Sequence, residues 1–195
     1  MRTAKIERKT RETQILAEMN LDGTGKYAIK TPIPFFDHML TLMCKHGLFD
    51  MRLKAKGDVE IDDHHTVEDT GIVLGKALKQ ALGDMKGIVR YGQSSVTMDE
   101  ALAEVSLDIS GRPYLVYNVS FPKKSKLREF DPDLIEDFLR AFAGSAGITL
   151  HVNLSYGRNT HHIIEAIFKA LGRALKQAVS LDPRVKGVPS TKGTL

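Results

Sequence analysis

Apolar and polar positions alternate from residue 3 to residue 20, with Ile15, Ala17 and Met19 on one side, and a period of two marks a half-buried strand. Asp22-Gly23-Thr24-Gly25 then supplies a turn into Lys26–Thr31, so a β-hairpin is predicted here, with Arg8, Arg11 and Glu12 at outer or edge positions. The period changes next. Prolines at 32 and 34 and Gly47 bracket a helix of roughly 33–46 that carries His38 and His46. Phe49, Met51, Leu53 and Ala55 return to strand alternation, and Asp62 and Asp63 are N-cap candidates for a helix from His64 to near Gly83. This half reads strand, strand, helix, strand, helix.

The remainder repeats that order after a linker, 83–92, that contains Arg90. Strands are predicted at about 95–109 and 114–120, joined by a turn at Ser110-Gly111-Arg112-Pro113. Pro122–Arg128 reads as a basic solvated loop, and Asp131-Pro132 opens a helix to about Gly144. Ile148, Leu150, Val152 and Leu154 make another alternating strand, with His151, Asn153 and Ser155 on its other face. A last helix starts near Thr160 and stops before Asp182-Pro183. The tail from Val185 to Leu195, rich in Gly, Ser, Thr, Pro and Lys, suits either disorder or a wrap around a phosphate through Ser190 and Lys192.

The repetition extends to residue identities. His64-His65-Thr66-Val67-Glu68 returns as His161-His162-Ile163-Ile164-Glu165, 97 positions on. Leu74, Gly75, Ala77, Leu78, Lys79, Gln80 and Ala81 recur at that offset as Leu171, Gly172, Ala174, Leu175, Lys176, Gln177 and Ala178. Matched apolar spacing means that one helix face is buried twice, so the chain is a duplicated half. The expected fold is α+β, with two similar halves over residues 1–86 and 87–182, each a mostly antiparallel four-stranded sheet backed by two helices. Residues 183–195 form the tail.

The repeated motif carries chemistry in its spacing. Residues three or four apart share a helix face while neighbours point about 100° apart, so Glu68 can lie beside His64 or His65 but not equally beside both. One HHxxE segment therefore serves two sites. Two of them supply four imidazoles and two carboxylates, a donor set for two metal ions with nitrogen and oxygen ligands. One His-His pair at a helix start reads as surface or capping residues; its repetition with the Glu retained favours ligands.

Composition narrows the classes. A chain of 195 residues buries roughly 70% of its unfolded surface and needs no cross-link to fold. The single cysteine, Cys44, sits in an apolar stretch and cannot form an internal disulfide, which makes a reduced, cytoplasmic setting the expectation. Neither a signal peptide nor a membrane-length apolar run is visible. A net charge of +4, spread without a long basic block, fits a phosphate-sized anion and argues against nucleic acid.

Taken in order, Arg8-x-Thr-x-Glu-Thr13, Leu21-Asp-Gly-Thr-Gly25, Phe35-Phe-Asp-His-Met-Leu40 and His46-Gly-Leu-Phe-Asp50 lead to Asp62-x-His-His-Thr-Val-Glu-Asp69. Ser110-Gly-Arg-Pro-Tyr-Leu115 and Gly157-Arg-Asn-x-His-His-x-x-Glu-Ala-x-Phe-Lys169 follow. In this order and spacing the sequence resembles the imidazoleglycerol-phosphate dehydratase family, over nearly the whole chain. The resemblance implies a manganese enzyme of histidine biosynthesis, with two metal ions per active site, and sites at the subunit interfaces of a 24-subunit homo-oligomer. It assigns His38, His64, His65, Glu68, His161, His162 and Glu165 as ligands, and Arg90, Arg112, Lys169, Ser190 and Lys192 to the substrate phosphate. Two positions depart from the family pattern. Asp137 stands where many members have a histidine, and is included as a ligand, with His151 as the alternative; Leu42 stands where many have glutamine. His46, beside Gly47 at a helix end, is read as capping or packing, and the Lys79/Lys176 and Gln80/Gln177 pairs as solvent-facing.

The implied reaction dehydrates imidazole glycerol phosphate to imidazole acetol phosphate. The hydrogen that is lost sits on a carbon bearing a hydroxyl with no carbonyl beside it, so an electron sink is required. The imidazole ring serves if metals grip its nitrogens and lower the cost of an imidazolate. Glu12 and Glu165, with Asp99 as a third candidate, are the carboxylates for the proton transfers. Glu165 is both candidate base and candidate ligand. A metal-dependent hydrolase and a metal- or nucleic-acid-binding module are the competing classes; the second lacks aromatic residues interleaved with basic ones.

Overall fold

The computed structural model describes residues 1–122, 127 and 130–195; most of the segment read as a basic loop, 122–128, lies outside the described residues. Strands β1 (Thr3–Lys9) and β2 (Thr13–Asn20) pair antiparallel from Thr3 with Asn20 to Lys9 with Gln14. The hairpin turn is therefore at Thr10–Glu12, where the Thr10 hydroxyl accepts the N–H groups of Glu12 (3.1 Å) and Thr13 (2.9 Å). The alternation of the sequence places it at Asp22–Gly25. That segment instead leads to β3 (Tyr27–Lys30), which runs parallel to β4 (Asp50–Gly57) on the side of β4 away from β2. The cause is local. The Asp50 carboxylate accepts the N–H groups of Thr24 (2.8 Å) and Lys26 (2.9 Å), which folds the glycine turn against β4.

The second sheet has the same topology. Its strands are β5 (Tyr91–Met98), β6 (Ala101–Asp108), β7 (Tyr114–Asn118) and β8 (Thr149–Tyr156), in the order β5-β6-β8-β7 against β1-β2-β4-β3 in the first sheet. What reads as one strand at 95–109 is two, folded at Asp99-Glu100 with Asp99 in the left-handed region (φ 45°). No glycine or proline marks that turn. Each half is thus three strands, helix, strand, helix, which completes the expected four-stranded sheet.

The helices are α1 (Pro34–Gly47), α2 (His64–Leu82), α3 (Leu134–Ala146) and α4 (Thr160–Val179). Leu48, not Gly47, takes the left-handed conformation that ends α1 (φ 57°). Gly47 is there for packing: a Cβ on it would lie 3.0 Å from the Gly172 carbonyl oxygen of α4. Helix α3 begins after Asp133, and Asp131 accepts the Asp133 N–H (2.9 Å) instead of capping the helix itself.

Helix α2 packs on β1 and β2, and α4 on β5 and β6, yet each pairs with a helix of the other half, α2 with α3 and α4 with α1. The four helices form a layer between the two sheets. Both pairs run parallel. Along α2, His64 meets Asp137, Gly71 meets Phe138 and Gly75 meets Phe142; along α4, His161 meets His38 and Gly172 meets Met43. Phe138 joins the halves, with ring centroids 5.2 Å from Phe36 and 5.6 Å from Phe168. Each such buried ring contributes about 1.5–3 kcal/mol relative to an exposed one. Among the described residues no helix is long and apolar enough to cross a membrane.

Candidate active site

The parallel pairing brings helix N-termini together in twos, and the repeated motif sits at those ends. His38 lies in the second turn of α1, and His161 and Glu165 open α4. His38 Nε2 is 3.5 Å and His161 Nε2 3.2 Å from the same Glu165 oxygen, and one donor atom from each residue falls within 4.8 Å of the others. The second Glu165 oxygen accepts from Lys169 Nζ at 2.6 Å. Burial pushes the Glu165 carboxyl up, but Lys169 and the two histidines outweigh it and hold the group below its ordinary range. It is therefore an anion at neutral pH, and two imidazoles with one carboxylate fit a divalent cation.

The first-half motif builds a counterpart. His64 Nδ1 is 3.3 Å from Asp137 on α3, and His64 Nε2 is 3.8 Å from Glu68. The two carboxylates thus face different nitrogens of one ring, so the convergence is looser than at Glu165. Asp137 occupies the position of His38 in the duplicated fold. The buried residues of α1 (Phe36, Met39, Leu40, Met43, Cys44, Gly47) and of α3 (Ile135, Phe138, Leu139, Phe142, Ala143, Ala146) coincide at a constant offset of 99. His151 lies on the open face of β8, paired with Ser106, and is not the residue beside His64.

The second histidine of each motif turns elsewhere. His65 Nδ1 is 3.1 Å from Asp58, and His162 Nδ1 is 2.7 Å from Glu100. The Asp58 hydrogen bond, opposed by desolvation and aided by the field of Glu12, raises the His65 pKa. Glu100 is held down to about 2, chiefly by His162 and by backbone N–H groups that include those of Arg158 and Asn159. Glu12 is exposed in the β1–β2 turn, and Asp99, exposed in the β5–β6 turn, lies 3.9 Å from His162. His46 is half-buried near Lys169 and Arg173, and its pKa is lowered by burial and then by those charges. Lys79, Gln80, Lys176 and Gln177 are solvent-facing.

The residues assigned to phosphate divide. Arg90, Arg112, Ser190 and Lys192 line one concavity of about 610 Å³, formed where the tail folds back so that Arg90 donates to the Pro189 carbonyl (2.8 Å). Asp108 fixes Arg90 through two hydrogen bonds (2.7 and 3.1 Å) and lies 3.7 Å from Arg112. Lys169 is elsewhere, on Glu165. Sequence reasoning missed Asp58, Glu100 and Asp108. Each is a lone carboxylate outside the repeated motif, and only the folded turns give it a histidine or arginine partner.

The concavity and the histidine clusters are far apart within one chain. Arg90 precedes β5 and Glu100 follows it, and eight strand residues (Tyr91–Met98) span about 24 Å at about 3.4 Å per step. Arg112 also lies behind α3. Gly111 packs on Gly147 at the C-terminal end of α3, while Asp137 is in its first turn, about 14 Å away along the helix at 1.5 Å per residue.

Residues 31–175 match the family model described as imidazoleglycerol-phosphate dehydratase. A curated relative of that name from Clostridium botulinum (strain Langeland) is 64% identical over 192 residues, covering 98% of this chain and 97% of the relative. Another, from Syntrophus aciditrophicus, is 57% identical over 195 residues, covering 100% and 99%. Among solved structures, the imidazoleglycerol-phosphate dehydratase of Staphylococcus aureus superposes with a TM-score of 0.83 at 42% identity, covering 92% of this chain and 99% of that one. The enzyme of Pyrococcus furiosus, solved in complex with (S)-C348, gives 0.84 at 38% identity, covering 97% and 100%. The chain belongs to the imidazoleglycerol-phosphate dehydratase family, hydro-lyases of histidine biosynthesis.

Proposed function

We propose that the chain dehydrates imidazole glycerol phosphate to imidazole acetol phosphate with two manganese ions per active site, in active sites completed between subunits of a homo-oligomer. The observation that carries this reading is the convergence of His38, His161 and Glu165 from two halves of the fold. His64, Glu68 and Asp137 are the corresponding donors for a second ion, and His65 and His162, turned away from their neighbours, are donors toward an adjoining subunit. Ions held by these residues would supply Lewis acidity that makes the substrate ring an electron sink.

The chain's own groups do the rest. Arg112 presents its guanidinium fork to the phosphate and Arg90, held by Asp108 and the Pro189 carbonyl, adds fixed positive charge, with Ser190 and Lys192 from the tail adding a hydroxyl and a mobile charge. Glu12 is our candidate to accept the carbon-bound proton, since it is exposed and has no ion-pair partner among the described residues. Glu165, engaged by Lys169 and two histidines, is a poorer base. Lys169 serves here by holding one Glu165 oxygen, which leaves the other for the cluster.

The 24 Å strand between Arg90 and the β5–β6 turn supports shared sites. Three carbons separate the ring from the phosphate in this substrate, far too few to reach from the concavity to a histidine cluster of the same chain. One subunit must then offer the phosphate pocket and another the clusters. The family resemblance supports 24 copies and manganese as the ion. The test mixes two inactive variants, Arg112→Ala and His161→Ala, unfolded together and reassembled with manganese. Recovery of a substantial fraction of wild-type turnover, as ketone without inorganic phosphate, is expected because some interfaces then pair two intact surfaces. No recovery means that each site belongs to one chain, and release of phosphate means a hydrolase.

A further inference from the structure

His65 and His162 occupy the same motif position, and each gives its Nδ1 to a carboxylate, yet the two carboxylates come from different places in the fold. Asp58 follows β4; Glu100 sits in the β5–β6 turn. The duplicated strands relate these positions. Strands β4 and β8 coincide at an offset of 99, which takes Asp58 to Gly157, and β2 and β6 coincide at 88, which takes Glu12 to Glu100. The second half has no room for a counterpart of Asp58. A Cβ on Gly157 would lie 2.6 Å from the Ile163 side chain and 3.1 Å from Ala101. Glu100 does the work there, its other oxygen held by the N–H groups of Arg158 (3.2 Å) and Asn159 (2.8 Å).

An ionised carboxylate only accepts, so the hydrogen lies on Nδ1, and Nε2, at the outer end of the ring, is the nitrogen left to bind a metal. We propose that Asp58 and Glu100 are positioning residues that fix His65 and His162 as outward Nε2 donors, and that Asp58, by taking this role in the first half, leaves Glu12, the fold counterpart of Glu100, free to face substrate. The duplication therefore supplied the turn carboxylate twice, and the halves have put it to different uses. This rests on the proposed metal chemistry and adds a division of labour to it.

Manganese affinity measured by electron paramagnetic resonance, subunit mass in solution, and separate kcat and KM values test the division. Carboxylates behind a metal-bound histidine typically carry 10- to 100-fold in affinity. Asp58→Ala and Glu100→Ala are each expected to weaken manganese binding by that factor. Asp58→Asn, whose amide oxygen still accepts from Nδ1, is expected to stay within a few-fold of wild type, which separates orientation from loss of folding. Glu12→Gln is expected to bind manganese and assemble normally while kcat falls at least 100-fold and KM holds. Wild-type affinity in Asp58→Ala or Glu100→Ala, or metal loss in Glu12→Gln equal to that of Glu100→Ala, overturns the division. Failure of the wild-type chain to bind manganese sinks the metal reading itself, a separate result.

Discussion

Replacing Gly172 by alanine sets two effects of opposite sign against each other at the α1–α4 crossing. Alanine is about 1 kcal/mol better than glycine in a helix interior. The added Cβ would lie 2.4 Å from the Met43 carbonyl oxygen, 3.0 Å from the Gly47 nitrogen and 3.1 Å from the Met43 carbonyl carbon. All three are backbone atoms and cannot swing away. Restoring an ordinary contact of about 3.4 Å needs the helices to part by roughly 1 Å, and strain of this kind in a packed core costs typically 1–3 kcal/mol or more. Because main chain meets main chain, the upper part of that range applies, and the net loss is about 2 kcal/mol. With a urea slope of about 2 kcal/mol per molar, the unfolding midpoint falls by about 1 M. The parting also widens the 3.5 Å approach of His38 to Glu165, so manganese affinity falls with stability. Gly144→Ala on α3 is the control: its Cβ meets nothing within 4 Å, and it should raise the midpoint slightly. A Gly172→Ala midpoint equal to or above wild type would refute the argument that close helix approach holds the cluster together.

Asp69 is buried at the start of α2 and accepts from Arg8 and Thr13, so Asp69→Ala leaves a half-buried guanidinium without its anion. A loss of roughly 2–3 kcal/mol is expected in urea unfolding, the pair being only partly shielded. Cys44 is fully buried, and burial, then the charge of Asp50, pushes its thiol up to about 12. A disulfide reagent at pH 8 is therefore expected to label it at the rate of unfolding, and rapid native labelling counts against the core described. Asp137→His exchanges an oxygen donor for a nitrogen donor beside His64 and should move the metal retained from a manganese–zinc mixture toward zinc, read by elemental analysis. An unchanged ratio removes Asp137 from the ligands.

The duplication, the helix spans to within a few residues and the identity of the repeated histidine and glutamate residues are legible along the chain. These follow from periodicity, which records which side of an element is buried. Family likeness groups Arg90, Arg112, Lys169, Ser190 and Lys192, of which all but Lys169 line one concavity. The remaining features need the folded chain. The β1–β2 turn at Thr10–Glu12 and the β5–β6 turn at Asp99-Glu100 carry no glycine signal, because a threonine hydroxyl and a single left-handed aspartate make them. That α2 pairs with α3 and α4 with α1 depends on glycines 71, 75 and 172 admitting a neighbouring backbone, and spacing along one helix says nothing of which helix approaches it. Asp58, Glu100 and Asp108 acquire their partners only when the folded chain brings residues 7, 62 and 18 positions apart together. Periodicity reports burial, a one-body property; a site is a set of distances between separate elements, and those exist only after the two halves have closed on each other.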